Sequence, residues 1–184
     1  MAKSLMLNQK KPTQKKKNSG FALFELLITL ACILFLSTCF ITYNNVIIPL
    51  RLHTAAQHIL AHLQRTHLRT QMYNTTATVS LQGESLFFTV AQKTSRYDLP
   101  ASLSFGPPQN ALGPPCNPKK ILTQACTWKK EGDVHTITLH PQGPATPGTL
   151  YITDAAQKHG YAITTVPHKL SGFHVYEWKK GRWK

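Results

Sequence analysis

Glu25 is the side chain whose surroundings are most unusual for its chemistry. It lies in an apolar run of about 23 residues, from Phe21 to Tyr43, that holds no other charged residue. A carboxylate in so apolar a segment is costly unless a partner neutralises it. We therefore expect a cation, supplied from outside the run, to pair with Glu25.

The four cysteines fall into two pairs. Cys32 and Cys39 lie in the apolar run, whereas Cys116 and Cys126 lie ten positions apart in a polar, proline-rich segment. No CxxC or Cys/His spacing typical of a structural zinc site is present. The second pair is a candidate disulfide, which would require an oxidising compartment and would stabilise the fold by about 2–3 kcal/mol. The sequence leaves open whether this bond forms.

A basic and aromatic cluster, WKKGRWK, ends the chain at 178–184. Its cations are Lys179, Lys180, Arg182 and Lys184. Cations interleaved with aromatic rings can hold phosphates and stack on bases, which predicts a nucleic-acid contact. The alternative is a solvated, frayed tail.

No residue pattern indicates catalysis. Ser/His/Asp and Cys/His signatures are missing, and the sequence has 7 carboxylates in all. His58 and His62 have a spacing of four that could chelate a metal, but no third ligand is evident and a polar helix face is the default interpretation. We predict no enzymatic activity, no cofactor and no metal site.

Charge is concentrated at the N-terminus. The chain has 21 Lys and Arg against 7 Asp and Glu, a net charge of +14. Six of these lysines precede Gly20, so that the remainder has 15 basic and 7 acidic residues and a net charge of +8. Residues 1–20 are polar and lack aromatics, which predicts a cytoplasmic tail without a core. The basic charge of the remainder indicates either binding to an anionic partner or a solvated surface that binds no ligand.

Two helical segments follow the tail. The apolar run is long enough to cross a hydrocarbon layer of about 30 Å, and the Lys15–Lys17 cluster before it places its N-terminal side in the cytoplasm. Asn44-Asn45 and Pro49 predict a bend. Apolar residues then recur at helical spacing, which predicts a membrane-spanning helix over 21–48 and an amphipathic extension over 49–73. The recurring residues are Leu52, Ala55, Ala56, Ile59, Leu60, Leu63 and Leu68.

A β-rich pattern begins after Tyr73. Short alternating runs with turn residues between them predict strands. The runs are 77–81, 85–91, 134–139, 149–153, 161–166 and 173–178. The segment 106–118 carries five prolines and is excluded as a central strand. The predicted fold is therefore α+β, with a long N-terminal membrane-spanning helix that continues into an amphipathic helix packed on an antiparallel β-sheet head over 74–184.

The string KKKNSGFALFELL resembles the prepilin signature of type IV pilins and type II secretion pseudopilins. A glycine stands between a basic tail and an apolar helix, an aromatic residue follows, and a glutamate comes five positions into the helix. The resemblance implies that a membrane peptidase cuts between Gly20 and Phe21 and that Phe21 becomes the methylated N-terminus. Glu25 would then pair with the new amino group of a neighbouring subunit. Ala22 departs from the family, which more often has a small hydroxyl residue there.

The C-terminal third resembles the GspH/FimT family of minor pilins and pseudopilins. The matching features are a turn glycine at Gly143, Gly148-Thr149-Leu150, the strand at 161–166, and Gly172. Members that bind DNA carry arginines after the last glycine, whereas Phe173-His174-Val175 follow it here. The resemblance covers the N-terminal helix and the final forty residues, and leaves the middle unmatched.

These features together predict a minor pseudopilin of a type II secretion system. It would be a single-pass protein of the bacterial inner membrane with its head outside the cytoplasm. Its partners would be the prepilin peptidase, other pseudopilins or pilins, and membrane lipid. The alternative is a DNA-binding minor pilin of a competence pilus, and a third interpretation is an uncleaved, membrane-anchored β domain. A lipoprotein cut before Cys39 is disfavoured because Thr38 suits that processing poorly.

Overall fold

The computed structural model describes residues 19–113, 122–143, 145–165, 172–179 and 181–184, with the backbone alone at 19–21 and 44–45. The chain divides into two compact units, the first ending at Thr42 and the second beginning at Tyr43. The described residues form an α+β structure with an apolar N-terminal helix and antiparallel sheets, as predicted.

The first unit is helix α1, Ser19–Thr42. Its segment Ala22–Thr42 is long and apolar enough to cross a membrane, with a mean hydropathy of 2.3. Length and composition of this kind are shared by membrane-spanning helices and N-terminal signal sequences. Its large apolar side chains are exposed, among them Leu23, Phe35 and Phe40.

The second unit begins with a π-helical turn, Tyr43–Ile47, followed by helix α2, Ile48–Tyr73. Pro49 lies in the first turn of α2, where a missing backbone donor costs little. The helix ends because Asn74 takes the left-handed conformation at φ 48° and the N–H of Thr75 donates to the carbonyl of Thr70 at 3.1 Å.

The buried face of α2 differs from the predicted one at its C-terminal end. Leu52, Ala55, Ala56, Ile59 and Leu63 are buried as expected. Leu68, however, is 59% exposed, and Thr66 and Thr70 are buried in its place. Both threonines satisfy their hydroxyls by donating to helix carbonyls, Thr66 to His62 at 2.7 Å and Thr70 to His67 at 2.6 Å, and so tolerate burial.

Ten strands of the described residues form two antiparallel five-stranded sheets. The strands are β1 Ala77–Gln82, β2 Ser85–Val90, β3 Lys93–Asp98, β4 Leu103–Phe105, β5 Lys129–Glu131, β6 Val134–Leu139, β7 Thr149–Asp154, β8 Gly160–Thr165, β9 Phe173–Lys179 and β10 Arg182–Trp183. The first sheet has the order β3-β2-β1-β6-β5 and the second has the order β10-β9-β8-β7-β4.

Helix α2 packs against both sheets, and one hydrophobic core joins all three layers. In the first sheet alternate residues point inward, as with Val79 of β1, Phe88 of β2 and Ile137 of β6. Strand β7 is buried along its whole length. The segment before β5 pairs with the edge of β7 beyond the end of β4, because the N–H of Tyr151 donates to the carbonyl of Ala125 at 2.9 Å.

All six predicted strands are present, and no strand end differs from the prediction by more than one residue. Residues 106–113 form no strand, as the prolines of this segment predicted. The C-terminus is not a frayed tail: β9 and β10 form a hairpin in which Trp178 pairs with Trp183.

Candidate functional site

The candidate assembly site lies at the start of α1. The backbone of Gly20 and Phe21 is helical and falls in the first turn. Residues 1–18, which hold the predicted basic leader, lie outside the described part of the chain. The structure therefore places the predicted scissile bond at the beginning of the apolar helix.

The hydroxyl groups of Ala22–Thr42 are satisfied by the helix itself. Thr29 donates to the carbonyl of Leu26 at 2.9 Å, Ser37 to that of Ile33 at 2.8 Å, and Thr38 to that of Phe35 at 2.8 Å. Thr42 donates to the carbonyl of Thr38 at 2.9 Å. Hydroxyls paired in this way enter an apolar environment at low cost.

Glu25 differs from these hydroxyls. Its side chain is exposed, and it makes no ion pair within the described residues. A carboxylate has no donor with which to bond its own helix, so its partner must come from another molecule or from solvent. Glu25 is thus the polar side chain of Ala22–Thr42 that an isolated α1 leaves unsatisfied.

The C-terminal cluster is built into the second sheet. The rings of Trp178 and Trp183 lie 5.0 Å apart between centroids, and the Trp183 ring lies 5.8 Å from that of Tyr151. The Trp183 indole N–H donates to the carbonyl of Leu112 at 3.0 Å. Trp178 is buried and Trp183 is half-buried, so both tryptophans serve packing within the head.

The cations of this cluster have different settings. Lys179 pairs with Glu177 at 2.8 Å, while the side chains of Arg182 and Lys184 are exposed. Lys180 lies outside the described residues. A phosphate contact through this cluster stays a prediction.

Glu177 also joins the second sheet to α2. It accepts a hydrogen bond from Tyr161, whose hydroxyl lies 3.1 Å from Nδ1 of His53. Burial, reinforced by the negative charge of Glu177, raises the pKa of Tyr161 to about 12. The Lys179–Glu177 pair is therefore part of a structural network that extends to the helix.

Cys126 is buried next to β7, where its backbone forms an isolated β-bridge with that of Leu150. Burial raises its pKa. The described residues contain no disulfide, and the predicted partner, Cys116, lies outside them. The Cys116–Cys126 bond stays a prediction.

Three of the four α2 histidines lie against aromatic rings of the sheets. His53 lies near Tyr161, His62 stacks on Phe88 with centroids 5.4 Å apart, and His67 meets the edge of Phe173 at 6.1 Å. Burial lowers the pKa of His67. Within the described residues no group of three or more His, Cys, Asp or Glu side chains could hold a metal ion.

Sequence reasoning missed a groove between α2 and the outer strand of the first sheet. Its volume is 390 Å³, and its walls include Arg69 and Tyr73 of α2 and Lys93 of β3. Strand β3 was not predicted because its residues, KTSRYD, lack apolar alternation. Because β3 forms one wall of the groove and was not predicted, the groove could not be predicted either.

The chain was compared with protein families, curated proteins and solved structures. No family model, no curated protein and no solved structure matches the chain.

Proposed function

We propose that this chain is a minor pseudopilin, a subunit of a short filament assembled from the bacterial inner membrane by a type II secretion system. In this proposal the prepilin peptidase hydrolyses the Gly20–Phe21 bond, and the new amino group of Phe21 is then methylated. The observation that carries the proposal is Glu25, the one described polar side chain of Ala22–Thr42 without a partner in its own helix.

The exposed apolar surface of α1 supports an assembly role. Side chains all around the helix are exposed, including Phe24, Leu27 and Ile33. Such a surface is stable in lipid or against other apolar helices. The charge of Glu25 then fixes the axial register, since only one relative position of two helices brings it to a neighbour's amino group.

The fold is compatible with a pilin-like layout. An apolar N-terminal helix precedes an amphipathic helix, and the latter packs on antiparallel sheets. The head would then be displayed outside the membrane.

A DNA-binding role has less support. The rings of Trp178 and Trp183 pack on each other with centroids 5.0 Å apart, and Lys179 pairs with a carboxylate at 2.8 Å. The surface that would have to hold DNA therefore loses its stacking rings and part of its free charge.

The assembly role predicts a specific loss on changing Glu25 to alanine. The variant would leave a neighbour's amino group unpaired in an apolar setting, which costs about 3–5 kcal/mol. We expect the chain to be processed normally but to disappear from filaments, as measured by cross-linking in native membranes and by recovery in the sheared fraction.

The matched control is Thr29→Ala, one turn further along α1. Thr29 bonds its own helix at 2.9 Å, so its loss should leave assembly close to that of the wild type. Wild-type assembly of the Glu25→Ala variant would contradict the proposed role.

A further inference from the structure

The groove between α2 and β3 is bordered by two cations that have no acidic partner. Arg69 comes from the helix and Lys93 from the strand. All seven Asp and Glu of the sequence lie at described positions, and none of them lines the groove. The local charge is therefore positive and uncompensated within the chain.

The neighbouring cations show the contrast. Arg96, on the opposite face of β3, pairs with Asp98 at 2.6 Å and lies over the ring of Phe87. Arg51, at the other end of α2, lies over the ring of Tyr43. Arg69 and Lys93 have neither kind of contact in the described part of the chain, so they remain available to a ligand.

The floor and walls of the groove suit an amino-acid chain. Phe88 and Val90 of β2 give the groove an apolar part, and Tyr73 and Ser95, which carry hydroxyl groups, also line it. The volume of 390 Å³ lies within the range of about 300–1,000 Å³ that is common for ligand pockets.

The free edge of β3 lies at the same place. Strand β3 is the outermost strand of its sheet, and the three successive residues Lys93, Thr94 and Ser95 all line the groove. Lys93 pairs with Val90 across a two-residue turn. Because such a closing pair exchanges both its hydrogen bonds, the next residue, Thr94, directs its N–H and C=O to the open edge.

We propose that this groove binds an extended acidic segment of a different protein, which adds to β3 as a further strand and places its carboxylates against Arg69 and Lys93. Backbone hydrogen bonds to a strand edge supply affinity, and the two cations supply the preference for acidic side chains.

Charge complementarity excludes a second copy of this chain as the occupant. Its closest carboxylates in sequence, Glu131 and Asp133, flank a hairpin turn at Gly132, and Glu131 already pairs with Lys129 at 2.7 Å. The chain therefore offers no acidic strand of its own. The groove requires a partner of opposite charge, and this requirement is independent of filament assembly.

The test uses the full chain in detergent micelles and a short fluorescent peptide in which glutamate and valine alternate. We expect saturable binding by fluorescence anisotropy that weakens with added salt. Arg69→Glu combined with Lys93→Glu should weaken binding by about tenfold or more. Arg65→Glu combined with Lys158→Glu makes the same change in net charge at exposed positions outside the groove and should alter binding by less than about twofold.

A second probe separates strand addition from simple charge attraction. The same peptide with every backbone amide methylated keeps its carboxylates but has no N–H with which to pair with a strand edge, so its binding should be lost. Equal binding of the methylated peptide, equal weakening in both charge-reversed pairs, or no saturable binding by the wild type would each overturn the proposal. Tighter binding of a single-stranded oligonucleotide, abolished by the Arg69 and Lys93 changes, would reassign the groove to phosphate. Circular dichroism of every variant verifies that the fold is retained.

Discussion

Single residues reveal how tightly the head, residues 74–184, is packed around its turns. A Cβ added to Gly148 would lie 2.5 Å from Cδ1 of Trp128, closer than real atoms approach. The N–H of Gly148 also donates to the hydroxyl of Thr165 at 2.6 Å, which holds the backbone in place. Neither the Trp128 ring nor the backbone held by Thr165 can move away easily. Glycine is therefore required here for space rather than for backbone conformation.

Gly148→Ala should therefore destabilise the protein. Forcing one methyl group into this contact costs about 1–3 kcal/mol. The measurement is the free energy of unfolding from a denaturant titration in detergent.

Gly143→Ala is the matched control for that change. A Cβ at Gly143 would meet nothing closer than 3.8 Å, so the expected change is within about 0.5 kcal/mol. Equal stability of the two variants would show that Trp128 does not pack on Gly148 as described.

At the scale of elements, the contact of α2 with the second sheet should depend on pH through His67. Its imidazole lies against Phe173, and a Cβ at Gly172 would lie 3.3 Å from its Nδ1. No described carboxylate contacts the ring, whose neighbours are Phe173, Gly172 and Gln71. Burial thus lowers the pKa of His67 below that of an unfolded histidine.

The sign of the effect follows from that direction. The folded state favours neutral His67. Its contribution to the free energy of unfolding is therefore complete above the unfolded pKa of about 6.5, and it is lost as the pH falls through the folded pKa. We expect the melting temperature of the head to fall on acidification from about pH 7 to about pH 5, and to fall less in His67→Gln. His58→Gln, an exposed position on the same helix, should keep the wild-type dependence. Identical pH profiles for all three proteins would contradict the account.

Longer elements with an apolar period were predictable from sequence, whereas polar or very short elements were not. Six strands were found, and four were missed. Strands β3 and β5 were missed because every residue of KKE, and all of KTSRYD except the half-buried Tyr97, is exposed. Strands β4 and β10 have three and two residues, too few to show a period. The turn between β2 and β3 also lacks a sequence signal, since Ala91 and Gln92 both take positive φ, 45° and 68°, without a glycine.

The candidate sites divide in the same way. A lone carboxylate in an apolar run is visible in the sequence, so Glu25 was identified from it. The groove depends on a strand that only the folded sheet reveals. The C-terminal cluster was visible as a composition, but its pairing into a hairpin depends on Leu112 and Tyr151, which are distant in sequence.

At the scale of the whole molecule, basic residues outnumber acidic ones 21 to 7, and most of the carboxylates are already occupied. Within the described residues Asp98, Glu131 and Glu177 pair with Arg or Lys, and Asp154 accepts hydrogen bonds from the backbone N–H groups of Lys158 and His159. The chain is therefore suited to partners that supply negative charge to its head. Glu25 has the opposite need, because it is a negative charge. In the proposed filament a neighbouring subunit supplies the positive charge that pairs with it.

The measurement that tests the central claim most directly is the intact mass of the protein, with sequencing of its N-terminus, after purification from its own membrane. The account predicts a chain that begins at Phe21 and carries one N-terminal methyl group. A chain that retains residues 1–20 in cells with an active prepilin peptidase would contradict it, and would leave a β domain held by an uncleaved N-terminal helix.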